Sequence, residues 1–129
     1  MVNIKLKIET MTNEVIDWAE AMAQLDDDEE FLRELLVDFL GEIEEQAKNI
    51  EGALQSETLQ PENYHLLKRG SHVIKGGAAN LMCKQLAFVS ADLELMATEM
   101  MQRDVIVGKY QELRFAIENY KAMLGKLGV

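Results

Sequence analysis

Along most of this chain the apolar residues recur every three or four positions, the period of an amphipathic helix. Val15, Ile16, Ala19 and Met22, with Trp18 beside them, predict a short leading helix from about Thr12. Phe31, Leu35, Phe39, Ile43, Ala47, Ile50 and Leu54 predict a long second helix, its stripe widened by Leu32, Leu36 and Leu40. The polar stretch QSETLQPEN leads to a third, with Pro61 at a first helical position, where its missing N–H is harmless. Leu86, Val89, Leu93, Met96 and Met100 predict a fourth helix from about Lys84. QRDVIVG is the predicted break after it, and Leu113, Ile117, Tyr120, Leu124 and Leu127 mark a fifth helix. Only residues 2–9, VNIKLKIE, alternate with a period of two, so residues 1–11 are read as an extended N-terminal arm.

Short connections make consecutive helices antiparallel neighbours. The expected fold is therefore all-α: a single domain over residues 1–129, an antiparallel up-down-up-down four-helix bundle with a short leading helix. Between the first two helices runs LDDDEEF. A calcium loop counted from Asp26 would need Gly at its sixth position and Glu at its twelfth, but Phe31 and Val37 stand there. The acids are read instead as a helix start, with Asp26 or Asp27 as cap and the following carboxylates at the positive end of the dipole.

Composition agrees with helices. One Pro and eight Gly in 129 residues leave little material for the turns of a β-rich fold. A net charge of −10 argues against nucleic acid and against an anionic membrane surface as partners, since both are bound through Lys and Arg. Cys83 is alone and cannot form an intramolecular disulfide, which favours a reducing compartment. No secretory leader or run of about 20 apolar residues is visible. The expectation is a cytoplasmic monomer, nuclear as well if the source is eukaryotic. The starting Met and the arm are read as those of a free-standing protein.

The third helix carries candidate chemistry in HVIKGGAANLM, residues 72–82. At about 100° per residue, Leu66, Leu67, Gly70, Val73, Ile74, Gly77 and Leu81 share one arc, the expected core face. His65, Lys68, Arg69, His72, Lys75, Gly76 and Ala79 share the opposite face, flanked by Asn80. Gly77 and Gly70 thus look inward, toward close helix packing. Gly76 looks outward one turn above His72, where packing does not explain it and where helix propensity opposes it by about 1 kcal/mol. It makes sense if something must approach the imidazole closely, and Ala79 keeps the same corridor low. Residues 61–84 hold four cations against Glu62, a net of +3, while the remainder carries −13. A histidine in a basic spot on an acidic chain is an address for an anion. His65 lies two turns away, about 10.5 Å, too far to share a metal ion. No Ser–His–acid spacing, phosphate-binding loop or dinucleotide fingerprint occurs, and no acid or orienting partner for His72 is visible.

The run His72-Val-Ile-Lys75-Gly76 resembles the H-x-x-K-G signature of histidine-containing phosphotransfer domains. The resemblance extends over nearly the whole chain. IDWAEAMAQLDDDEEFLRELLVDFL looks like that family's leading helix, acidic turn and second helix, and Leu86 and residues 92–94, DLE, fall at its later positions. It implies that His72 accepts and donates a phosphoryl group, that Lys75 steadies the phosphoryl oxygens, and that Gly76 leaves room for the partner. Ala79, Lys68, Arg69 and Met82 would line the docking surface. Partners would be receiver domains of response regulators and hybrid sensor kinases, which supply Mg²⁺ and the phospho-aspartate; this chain would bind no cofactor or metal and would not be an enzyme in its own right. One position departs. The family's second Gly, ten residues after the His, is Met82 here, which leaves the end of the third helix open, with Asn80 or a later residue to do the capping. HxIKGGAA also resembles the phosphotransfer domain of chemotaxis-type kinases, phosphorylated directly by an ATP-binding domain. A receiver- or kinase-binding helical module that carries no phosphate is a further alternative, and a histidine-dependent hydrolase a remote one.

Overall fold

The computed structural model describes residues 15–129. The predicted arm, residues 1–11, and the predicted helix start at Thr12 lie outside them. The described residues form five helices: α1 Trp18–Gln24, α2 Glu29–Ala53, α3 Pro61–Asn80, α4 Lys84–Thr98 and α5 Arg103–Leu127. Within the described residues two features differ from the sequence reading, a break in the leading helix at Ile16 and Asp17 and an earlier start of the last helix. Helix α1 begins at Trp18 because Asp17 caps it, its carboxylate accepting from Glu20 N–H at 3.1 Å, so buried Ile16 precedes the helix. Helix α5 begins at Arg103, inside the expected break. Arg103 donates to the carbonyls of Leu54 and Ser56 and so ties the start of α5 to the end of α2. The acidic turn also shifts by one. Asp28, not Asp26 or Asp27, caps α2, accepting from Phe31 N–H at 3.1 Å. Asp26 and Asp27 take positive φ, 52° and 62°, which aspartate tolerates better than most residues.

The core runs between the long helices. Helix α3 packs most extensively on α4 and then on α2, and α5 packs on α4. Helix α2 buries Leu32, Leu36, Phe39, Ile43, Ala47, Ile50 and Ala53, whereas Phe31 is left 45% exposed. Tyr120 of α5 is fully buried, donates to the carbonyl of Leu36 at 2.5 Å, and meets Phe39 edge-on at 5.8 Å. The core face of α3 is Leu67, Gly70, Ser71, Ile74 and Ala78, rotated from the predicted arc. Ser71 enters it because its hydroxyl donates to its own helix, to the carbonyls of Leu67 and Lys68, and brings no unpaired polar group. Leu66 leaves it and is 39% exposed.

Met82 resolves the open question at the end of α3. It adopts φ 59°, the left-handed conformation a Gly would ordinarily supply. Cys83 N–H bonds to the carbonyl of Ala78 at 2.8 Å and Met82 N–H to that of Ala79 at 3.3 Å, a complete Schellman pattern. The buried Cys83 side chain and the partly buried Met82 provide the apolar contact that holds this turn. The same turn anchors α1: Asp17 N–H donates to the Met82 carbonyl at 2.9 Å, and Lys84 pairs with Asp17 at 3.3 Å. Asp17's capping bond from Glu20, then the Lys84 contact, holds its carboxyl below the ordinary range.

Candidate functional site

His72 lies in the third quarter of α3, on the face away from the core, and its side chain is 66% exposed. Its Nδ1 is 2.5 Å from Oε2 of Glu94, which reaches across from α4. Oε1 of the same carboxylate accepts from Lys75 Nζ at 2.5 Å. One carboxylate therefore bridges the two residues of the motif. An ionised carboxylate only accepts, so this contact assigns the ring proton to Nδ1. Nε2 is the ring nitrogen that this contact leaves unengaged. Burial alone would push the Glu94 carboxyl up, but the hydrogen bonds from Lys75 and His72 outweigh it and hold it below the usual carboxylate range. Glu94 is thus ionised at neutral pH, with a side chain only 17% exposed.

The expectation that His72 has no acid partner is overturned by Glu94. A signal for it existed. The α3–α4 turn is centred near Met82, and His72 and Glu94 lie 10 and 12 residues to either side, a separation that pairs residues across two antiparallel helices. The Lys75 ammonium, expected near the imidazole, is engaged with the same Glu94 carboxylate.

The glycines separate as their faces required. A Cβ on Gly76 would meet nothing within 4 Å, whereas one on Gly77 would stand 2.4 Å from Cε1 of Phe39. Gly70 is similarly closed, by Ile50 at 2.9 Å. Ala79 is exposed, so the surface beyond Gly76 stays low. Lys68 and Arg69 are exposed and, with His65, line a shallow groove that reaches His72 and Glu94. Met82 is partly buried in the turn beyond the helix. Cys83 stands apart from this face, fully buried, with burial pushing its thiol up to about 12. Among the described residues no cluster of three His, Cys, Asp or Glu could hold a metal, and no helix is long and apolar enough to cross a membrane.

Fold and site together define an all-α protein that displays one carboxylate-oriented imidazole on an open, basic helix face. The sequence profile of the Hpt domain matches residues 34–123, which contain His72, Lys75, Gly76 and Glu94. The chain belongs to this family of histidine-containing phosphotransfer domains, modules of two-component phosphorelays. No curated protein matches the chain significantly. Among solved structures it is similar to the HPT domain of a hybrid sensor histidine kinase from Shewanella. The TM-score is 0.72 with 13% identity, over 88% of this chain and 93% of that one, a likeness of fold.

Proposed function

We propose that this protein is a phosphorelay intermediate that accepts a phosphoryl group on Nε2 of His72 from a receiver-domain aspartyl phosphate and passes it to another receiver aspartate. The observation that carries the reading is the contact of Nδ1 with Glu94 Oε2, in which an accepting carboxylate places a ring proton on Nδ1 and leaves Nε2 as the reacting nitrogen on an exposed ring beside the open Gly76. In the transfer, the Nε2 lone pair attacks phosphorus in line. The bond from phosphorus to the donor carboxylate oxygen breaks as the P–Nε2 bond forms, and the carboxylate leaves with the electron pair. The ring proton stays on Nδ1, and the positive charge that develops on the imidazole falls against ionised Glu94, an electrostatic contribution already in place before reaction. Transfer to the next aspartate is the reverse.

Positioning and charge neutralisation dominate phosphoryl transfer, so the partner's divalent metal completes the site, and this chain needs none of its own. Gly76 and Ala79 leave room for the receiver, and Lys68, Arg69 and Met82 border the docking surface. Receivers present carboxylates, to which a basic face on an otherwise acidic chain is complementary. The proposal extends to one Hpt unit working in the cytoplasm, and to an up-down-up-down bundle of α2 to α5. Contacts such as Gly70 with Ile50 and Gly77 with Phe39, or Gln85 with Asn119 and Asp92 with Lys109, support the antiparallel pairing.

The test is incubation with a phosphorylated receiver domain. Wild type should acquire an acid-labile, alkali-stable label that His72→Gln does not. Equal labelling of the two proteins, or none of either by a broad set of receivers, rejects the reading.

A further inference from the structure

We propose that residues 2–8, VNIKLKI, cover an apolar groove between the start of α1 and the C-terminal half of α5, a tethered segment of the chain seated on its own domain. The first observation is the groove. It measures about 520 Å³, a size at which pockets hold a bound group, and Ile16, Trp18, Phe115, Met123 and Leu127 form its apolar wall. Gln85 and Asn119 also line it and are hydrogen-bonded to each other at 3.1 Å, so the wall's own amides are already paired. Phe115 is nevertheless 63% exposed and Ala122 is exposed beside it, which leaves the wall open among the described residues. A contiguous apolar surface of this kind marks a place that something covers.

The second observation is where the segment joins the domain. The described chain begins at Val15, and Val15 and Ile16 both line this groove. The grooves at Phe39 and at His72 touch none of residues 15–18. A segment attached at Val15 is therefore tethered to this wall and to no other, at an effective concentration of about millimolar. Seven residues separate Ile8 from Val15, a reach of up to about 23 Å, roughly the width of two helices.

The third is the chemistry of the segment. Val2, Ile4, Leu6 and Ile8 take every second position, with Asn3, Lys5 and Lys7 between them, so one side offers four aliphatic groups to an apolar wall and the other keeps its polar groups in water. Residues 1–11 carry Lys5 and Lys7 against Glu9, a net of +1, while the remainder of the chain carries −11. The segment and the domain are thus opposite in sign. A second copy in the groove would instead set one chain of −10 against another, which charge repulsion opposes.

The experiment uses the full chain and reads Trp18, its single tryptophan, which lies in the groove wall. Emission maximum and acrylamide quenching report how far the indole is shielded. Wild type should be shielded. Leu6→Asp/Ile8→Asp should move the emission to the red and raise the quenching constant severalfold at unchanged far-UV ellipticity, because a carboxylate does not enter an apolar wall. Phe115→Asp, on the wall itself, should do the same, and the segment changes added to it should raise quenching no further. Asn3→Asp, which puts a charge on the other side of the segment, should leave Trp18 as in wild type. Equal quenching of wild type and Leu6→Asp/Ile8→Asp overturns the proposal, as does a response to Asn3→Asp as large as theirs. Shielding that is lost on dilution of wild type assigns the groove to a second copy and overturns it too.

Discussion

The adjacent glycines of α3 offer a matched pair of substitutions. Gly76→Ala and Gly77→Ala add the same methyl group to neighbouring positions of one helix. Both gain the same propensity, about 0.8–1.0 kcal/mol. At Gly76 the new Cβ meets nothing within 4 Å, so that gain stands alone, and the variant should be more stable than wild type by about 1 kcal/mol. At Gly77 the Cβ would stand 2.4 Å from Cε1 of Phe39 and 3.0 Å from two further ring atoms. The ring must move, and it is held edge-on against buried Tyr120 at 5.8 Å. Overpacking of this kind costs about 1–3 kcal/mol. The groove that Phe39 shares with Ala21, Leu25 and Leu35 gives the ring some room, which favours the lower half of that range. Because propensity cancels between the variants, their difference isolates the packing contribution: Gly76→Ala should exceed Gly77→Ala in stability by about 1–2 kcal/mol. Urea unfolding followed by ellipticity at 222 nm resolves such a gap as a shift of midpoint at constant slope. Equal midpoints, or a higher one for Gly77→Ala, would refute the assignment of the two faces.

Four further outcomes are expected. Gly76→Gln should keep or raise stability, yet lower the rate of phosphoryl transfer from a receiver, because its side chain fills the approach to Nε2; transfer at the wild-type rate removes the clearance argument. Glu94→Gln keeps the shape but loses the charged acceptor, and with it a charge-assisted bond of about 1.5–3 kcal/mol. Labelling of His72 should slow by about 10- to 100-fold, and an unchanged rate would separate Glu94 from the chemistry. The Glu94 carboxyl is depressed in the folded state, so the stability it contributes is present above the unfolded-state value near 4.5 and is lost as pH falls through the lower folded value. Acid unfolding should therefore be less steep in Glu94→Gln across that window, and parallel profiles would contradict the bridge. Cys83 is fully buried with its thiol raised to about 12, so a thiol reagent at pH 8 should modify it only at the rate of unfolding, in urea as fast as a free cysteine; rapid modification of the native protein would contradict its burial.

The chain's local patterns determined a good deal. Apolar spacing located the long helices, and Pro61 marked the start of α3 because a proline is accommodated at a first helical position. The wheel of α3 put His72, Lys75 and Gly76 on the outward face and Gly77 inward, since 3.6 residues per turn is a property of the backbone alone. The tertiary structure decided what that period does not encode. Which of several apolar neighbours enters the core depends on how each helix is rotated against the next, so Ser71 and Ala78 are buried while Leu66 and Phe31 are not. Met82 holds a left-handed turn because the contacts of the α3–α4 corner, including Asp17 from α1, over-determine a conformation that its own preference opposes. Glu94 meets His72 from 22 residues away only once that turn has set the two helices side by side. A hydrogen bond between helices requires both the registry of the turn and the rotation of each partner, and neither is written in the period of a single helix.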